Sequence, residues 1–129
     1  QPLFCVNRIE RVLNDNGKPV KGTKILILGV SYKGGVGDTR ESPAIKIIRL
    51  LRELGADVRY HDPHVAELKE AGLSNSPDLE GALEDAELSV IVTAHPEFDW
   101  AEVIGRSDLV FDLRGVTREF DDPGNVTRL

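Results

Sequence analysis

Short apolar runs alternating with helix-patterned segments constrain this chain more than any other feature. Lys24 to Val30 (KILILGV) and Leu88 to Thr93 (LSVIVT) are continuous apolar runs bounded by turn residues, the pattern of strands covered on both faces. Asp57 to His61, with Val58 and Tyr60 on one face and Asp62-Pro63 closing it, and Asp108 to Leu113 complete a set of four strands. Between them lie helical signals. Ser42-Pro43 gives an N-cap and a first-turn proline, Ile45, Ile48, Leu51 and Leu54 mark a buried stripe, and Gly55 stops the helix. Val65 to Ala71 reads as a short helix, Ser76-Pro77 as the cap of another running to about Asp85, and Trp100 to Ile104 as a helical turn or two. At the amino end, Leu3, Val6, Ile9, Val12 and Leu13 share one helix face, with no Ser, Thr, Asp or Asn cap ahead of them; this reads as the tail of a longer helix, ended by Asn16-Gly17.

Strand and helix alternation predicts a three-layer, Rossmann-like α/β fold: a mostly parallel sheet with helices on both faces. Right-handed crossovers restrict the layout. If the connection after the second strand passes over the first, the strand order is 2-1-3-4, with a switch point between strands one and three. Ligands of such sheets bind at that crevice, beyond the carboxyl ends of the strands. The loop Ser31 to Glu41, the Ala94-His95 turn and Arg114 all leave strands at that rim.

The loop carries a candidate anion site. Lys33 and Arg40 flank Gly34-Gly35-Val36-Gly37 just ahead of a helix N-terminus, a combination of cations, backbone N–H groups and helix dipole suited to a phosphate or pyrophosphate. Tyr32 adds an aromatic face for a base. The plainer reading pairs Arg40 with Asp38 or Glu41 and leaves Lys33 as a solvated cation. Gly29 to Gly34 lacks the second glycine of a dinucleotide fingerprint, and no Gly-Lys-Ser/Thr follows, so neither a Rossmann fingerprint nor a Walker loop is present. Asp62 stands where dinucleotide folds hold a ribose, but Asp62-Pro63 reads first as a turn. His61 and His64 alone do not make a metal site, and His95 reads as a loop histidine bonded to backbone. Ser31, Thr39 and Ser42 have no histidine at a predictable distance, so neither a catalytic residue nor a metal ligand is expected.

At 129 residues, with 40% hydrophobic and 29% charged residues, the chain is one globular domain in size. A net charge of −6 argues against nucleic acid as a partner. The longest apolar run, Ile25 to Val30, falls far short of the ~20 residues that span a bilayer, and no signal peptide is evident, so a cytoplasmic location away from membranes is expected. The one cysteine, Cys5, lies among Leu3, Phe4 and Val6 and reads as a buried thiol.

Lys24 to Pro63 resembles the UDP-binding C-terminal domain of the UDP-glucose/GDP-mannose dehydrogenase family. That family's pattern is a strand, G-x-A/S-F/Y-K, a spacer, D-x-R-x-S-P, a helix and a D-P after the next strand; Gly29, Ser31, Tyr32, Lys33, Asp38, Arg40, Ser42, Pro43, Asp62 and Pro63 meet it. Thr93 to Phe98 and Asp112 to Arg114 extend the likeness, and residues 1–22 resemble the end of the helix connecting it to the preceding domain, leaving 23–129 as the UDP-binding domain. The resemblance implies an enzyme that oxidises C6 of a nucleotide sugar, twice transferring hydride to the cofactor NAD, for polysaccharide synthesis. It implies three further features: an N-terminal NAD domain, a central region that makes a homodimer, and a catalytic cysteine in a G-G-x-C-F/L-P-K-D segment. None is found in this sequence, so the chain alone is expected to be inactive. By the same resemblance Lys33 and Arg114 hold the UDP of a UDP-sugar with Tyr32 beside them, Arg40 reaches toward the NAD phosphates, and Asp38 orients Arg40. The spacer departs from the family in carrying Gly34, Gly35 and Gly37, which implies a looser loop. Gly115 stands where Asn or Arg is usual.

Two other classes compete. A flavodoxin-like receiver shares the strand order but needs paired acids after strand one, where this chain has Tyr32 and Lys33. A module serving only dimer contacts would bind no nucleotide.

Overall fold

The computed structural model describes residues 1–121 and 123–129. Five parallel strands form one sheet: β1 (Lys24–Leu28), β2 (Asp57–His61), β5 (Leu88–Ile91), β6 (Val110–Asp112) and β7 (Val126–Arg128), in the order β2-β1-β5-β6-β7. The first four follow the expected 2-1-3-4 order. The fifth was not anticipated, because three residues of the pattern Val-Thr-Arg are too few to display a period.

Alternation along the strands divides the core into two layers. Ile25, Ile27, Val58, Tyr60, Leu88, Val90 and Phe111 face α1 (Pro2–Asp15) and α2 (Pro43–Glu53), while Leu26, Leu28, Ile91 and Val110 face α3 (Leu79–Asp85) and α4 (Trp100–Arg106). In α2 the buried stripe is Ala44, Ile47, Ile48 and Leu51. It lies slightly around the helix from the expected one, leaving Leu54 40% exposed at the C-cap. Ser42 caps this helix as expected, its Oγ accepting from the Ala44 N–H at 3.2 Å. Each fully buried Ile or Leu of that stripe contributes on the order of 1.5–3 kcal/mol. Helix α1 packs Val6, Ile9, Val12 and Leu13 into the same layer with Cys5, whose thiol burial pushes up in pKa, while Leu3 and Phe4 stay half exposed. The helix does have a cap. Gln1 supplies it through its side-chain oxygen, 2.6 Å from the Phe4 N–H.

Two local expectations give way to the fold. Val65 to Ala71 is not a helix: β3 (Glu67–Leu68) and β4 (Leu73–Ser74) make a small antiparallel pair around a 3-10 turn at Lys69–Ala71, closed by Gly72 at φ 65°. Tyr60 donates its hydroxyl to the Val65 carbonyl at 2.9 Å, which commits the segment's start to the sheet edge. The cap of α3 is Asp78, accepting from the Gly81 N–H at 3.1 Å, and not Ser76, whose own N–H is spent on the Tyr60 carbonyl at 2.9 Å. No helix among the described residues is long and apolar enough to cross a membrane.

Candidate functional site

Strand β1 stops two residues before its apolar run does. Gly29 takes φ 85°, and a Cβ there would come within 2.5 Å of the Thr93 side chain, so the turn needs glycine. The next two amides leave the ladder: Val30 N–H and Ser31 N–H both donate to Asp62 Oδ2, at 2.8 and 3.2 Å.

Asp62 is therefore more than a turn former. It is completely buried, its Oδ1 accepts from the His64 N–H at 2.8 Å, and its Oδ2 also receives His95 Nε2 at 2.8 Å. Engaged on both oxygens and shut away from solvent, it has no room for a ribose. His95 has the expected bond to backbone, Gly35 N–H donating to its Nδ1 at 3.0 Å, but it is also a buried side chain whose Nε2 is bonded to Asp62 and lies 3.0 Å from Ser31 Oγ.

Serine, histidine and aspartate thus meet where the sequence showed no pair, yet they do not form a nucleophilic triad. A relay needs serine and carboxylate on opposite ring nitrogens, and here both lie at Nε2. All three are buried beneath the loop, so they hold it in place. The signal available in sequence was the set of polar residues, Ser31, Asp62 and Thr93, that ends three apolar strands. Thr93 joins the group by donating its hydroxyl to the Ser31 carbonyl at 2.8 Å. His95 also lies near His64 and Glu97, whose side chains meet at 2.7 Å, but its two nitrogens are already engaged, which leaves no lone pair for a metal.

Above this buried group the loop lies close against its neighbours. Gly34 sits where a Cβ would meet the Ala94 carbonyl at 2.5 Å, and Gly37 where it would meet that of His64 at 2.6 Å. The glycines are contact points of the loop on the turns after β5 and β2, in contrast to the looser loop that they suggested. Lys33 and Tyr32 project outward, Tyr32 being 55% exposed.

Arg40 adopts the plainer of its two expected states. Its Nε and Nη2 bond Asp38 Oδ1 and Oδ2 at 3.0 and 2.9 Å, and its backbone N–H bonds Oδ1 at 2.9 Å. The guanidinium holds the Asp38 carboxyl down at about 2 through its side-chain hydrogen bonds first and the Arg40 backbone N–H second, and Asp38 in turn raises Arg40. Tyr32, Asp38, Arg40 and Glu41 line a shallow pocket of about 300 Å³.

Arg114 stands at the same rim on a turn built by a second aspartate. Asp112 Oδ1 accepts from the Arg114 and Gly115 N–H groups at 2.9 and 2.8 Å, and Oδ2 accepts from the Thr117 N–H and hydroxyl at 2.9 and 2.6 Å. Burial pushes the Asp112 carboxyl up, but the bonds from Thr117, Arg114 and Gly115 together outweigh it and hold the pKa below the usual carboxylate value. Gly115 takes φ 75°, which is why a glycine follows the arginine. Arg128 on β7 braces the turn through the Thr117 carbonyl at 2.7 Å. The structure places Lys33 and Arg114 at the carboxyl ends of β1 and β6, with β5 between them; their side chains are exposed and make no ion pair among the described residues. Neither lines the Tyr32 pocket.

Residues 26–119 match the model of the UDP-glucose/GDP-mannose dehydrogenase family, UDP binding domain. A UDP-N-acetyl-D-mannosamine dehydrogenase of Pyrococcus horikoshii is 39% identical over 125 residues, covering 92% of this chain and 28% of its own length. A UDP-glucose 6-dehydrogenase of Rickettsia bellii is 30% identical over 128 residues, covering 92% of this chain and 29% of its own. Among solved structures, the NDP-N-acetyl-D-galactosaminuronic acid dehydrogenase of Methanosarcina mazei Go1 superposes with a TM-score of 0.83 over 99% of this chain and 28% of that one, at 21% identity, a likeness of fold. The chain thus spans less than a third of the length of the proteins it matches.

Proposed function

Since the chain belongs to the UDP-glucose/GDP-mannose dehydrogenase family, matching its UDP binding domain, we propose that it is the nucleotide-holding part of an NAD-dependent nucleotide-sugar 6-dehydrogenase. The whole enzyme oxidises the C6 alcohol of a UDP-sugar to the carboxylate, in the cytoplasm, for polysaccharide synthesis. In this reading residues 1–22 end the helix that connects 23–129 to the other domains, and the complete protein is a homodimer. The observation that carries the reading is the family match over residues 26–119, which takes in both rim turns. Each of those turns is pinned from beneath by a buried aspartate and presents one cation, Lys33 or Arg114, that has no ion-pair partner among the described residues.

Two cations carried on turns whose backbone is already hydrogen-bonded suit a diphosphate, because charge-assisted bonds gain more when less of the chain has to be ordered on binding. Lys33 and Arg114 hold the UDP, and the exposed ring of Tyr32 lies beside it. NAD supplies the hydride acceptor and is bound mainly by a domain beyond this chain. The residues here fit a lesser role toward it. Arg40 spends Nε and Nη2 on Asp38, which fixes the plane of the guanidinium and leaves Nη1 free to meet a phosphate. No residue of this chain takes part in the oxidation: Cys5, its one cysteine, is buried in α1. The chain alone therefore reduces no NAD when given UDP-sugars.

An NMR titration with UDP tests the site. Binding is expected near ~1 mM, about −4 kcal/mol, because one wall of a cleft keeps the charged contacts but not the enclosure. Shifts should fall in residues 31–41 and 113–116. Lys33→Ala or Arg114→Ala should each remove a charge-assisted bond worth roughly 1.5–3 kcal/mol and abolish measurable binding. No UDP response in those loops, or an undiminished one in Lys33→Ala, rejects the assignment and favours a module that serves subunit contacts.

A further inference from the structure

The hydrogen-bond directions around His95 determine one another. Gly35 N–H can only donate, so Nδ1 of His95, 3.0 Å away, must accept and carries no proton. The neutral ring then bears its proton on Nε2, aimed at the Asp62 carboxylate at 2.8 Å and at Ser31 Oγ at 3.0 Å. Ser31 Oγ spends its own proton on the carbonyl of Lys33, at 3.0 Å. The backbone on both sides of the Lys33–Gly34 segment is thereby tied to one buried group: the Lys33 carbonyl through Ser31, and the Gly35 amide through His95. Gly34, between them, rests on the Ala94 carbonyl. His64 and Phe98 close over the ring, at centroid distances of 4.8 and 6.0 Å, and the side chain is inaccessible to solvent.

We propose that His95 is a positioning residue for the nucleotide site: fixed by Asp62 as the Nε2–H tautomer, it holds the Gly35 amide and so sets where Lys33 meets the diphosphate. The inference rests on the reading of Lys33 as a UDP contact. His95 never touches the ligand. It acts through a turn that contains two consecutive glycines, which without this bond would sample many backbone conformations and have to be ordered at each binding event.

Two substitutions separate the ring's two bonds. In His95→Asn the side-chain oxygen takes the place of Nδ1 and still accepts from Gly35, but nothing reaches Asp62. In His95→Gln the amide nitrogen reaches the Nε2 position and still donates to Asp62, but Gly35 loses its acceptor. UDP affinity is expected to fall about tenfold in His95→Gln, the effect of one lost ordering hydrogen bond, and to stay within about twofold of wild type in His95→Asn. On the wild-type chain, ¹⁵N spectra of the ring should show Nε2 protonated and Nδ1 bare, with the Gly35 amide shifting upfield only in His95→Gln. A ring protonated on Nδ1 overturns the proposal whether or not either variant folds. So does equal weakening by the two substitutions, which marks His95 as packing alone. A wild type without any UDP response sinks the nucleotide reading, whereas a responsive wild type with an unaltered His95→Gln sinks only the role of His95.

Discussion

Asp62 and Asp112 both end a strand of the same sheet, both are completely buried, and both gather N–H donors under a loop that presents a cation. They differ in reach. Asp112 collects donors two, three and five residues downstream, so it organises its own continuation. Asp62 collects one donor two residues away, but its others lie 32, 31 and 33 residues away, on two neighbouring strand exits. The Arg114 turn can therefore form as soon as its own segment does, whereas the Lys33 turn requires β1, β2 and β5 to be in register first. Local organisation leaves a readable motif, and non-local organisation leaves scattered polar residues.

Removing Asp62 tests that difference most severely. Asp62→Ala leaves two buried backbone amides, the His95 ring N–H and the His64 amide without their acceptor at once, and with each unsatisfied buried donor costing about 1–3 kcal/mol the loss should exceed about 3 kcal/mol. Urea unfolding should show a loss of that size, and amide shifts should spread to residues 30–35, far along the chain. Asp62→Asn is not expected to be benign, as it would be for a simple turn former, because its NH₂ must face N–H donors on one side or the other. Normal stability in Asp62→Ala, with the 30–35 amides unmoved, would remove the basis of the comparison.

Asp112→Asn is the milder case. One oxygen still accepts, the amide opposes the donors at the other, and the loss should be roughly 1–3 kcal/mol with shifts confined to residues 113–117 and the bracing Arg128. The sign of its pH dependence is fixed. A carboxyl whose pKa is lowered on folding adds stability above its unfolded pKa, and that contribution disappears as pH falls through the folded value. The stability gap between wild type and Asp112→Asn, measured by urea unfolding, should therefore narrow on acidification below the ordinary carboxylate range. A gap that widens would mean that the hydrogen bonds do not favour the ionised form.

The same distinction explains what could be read from the sequence. Four strands and their order followed from KILILGV, LSVIVT and DLVFDL, apolar runs buried almost continuously along their strands, and from DVRYH, whose burial alternates, while Lys33, Arg40, Arg114 and Tyr32 were marked by motif. The 65–74 segment escaped because Tyr60, a residue of another element, claims its first carbonyl, and β7 escaped through shortness. His95 was visible as a rim residue, but its partners were not, since nothing in a linear sequence states that Ser31, Asp62 and Gly35 converge on one ring. The helix cap at Ser42, by contrast, depends on two neighbouring residues and was legible in full.

At the exposed end of the scale stands Asp38 with Arg40, a carboxylate with three hydrogen bonds to one residue, set in water. Its carboxyl is held at about 2 against an ordinary 3.8, mainly by hydrogen bonds from the guanidinium. Because folding lowers this pKa, the pair's contribution is complete above the ordinary value and fades as pH falls through about 2. Solvent and salt screen such a contact, and the entropy of two ordered side chains opposes it, so Arg40→Ala should leave the unfolding midpoint at pH 7 where it was. The carboxyl itself should respond clearly: a ¹³C titration of Asp38 should move from a midpoint near 2 toward 3.8 once the guanidinium is gone. Were Arg40→Ala to cost as much stability as Asp112→Asn, burial would not be what separates these three aspartates. The Asp38 pair would then rank as a structural anchor of the loop.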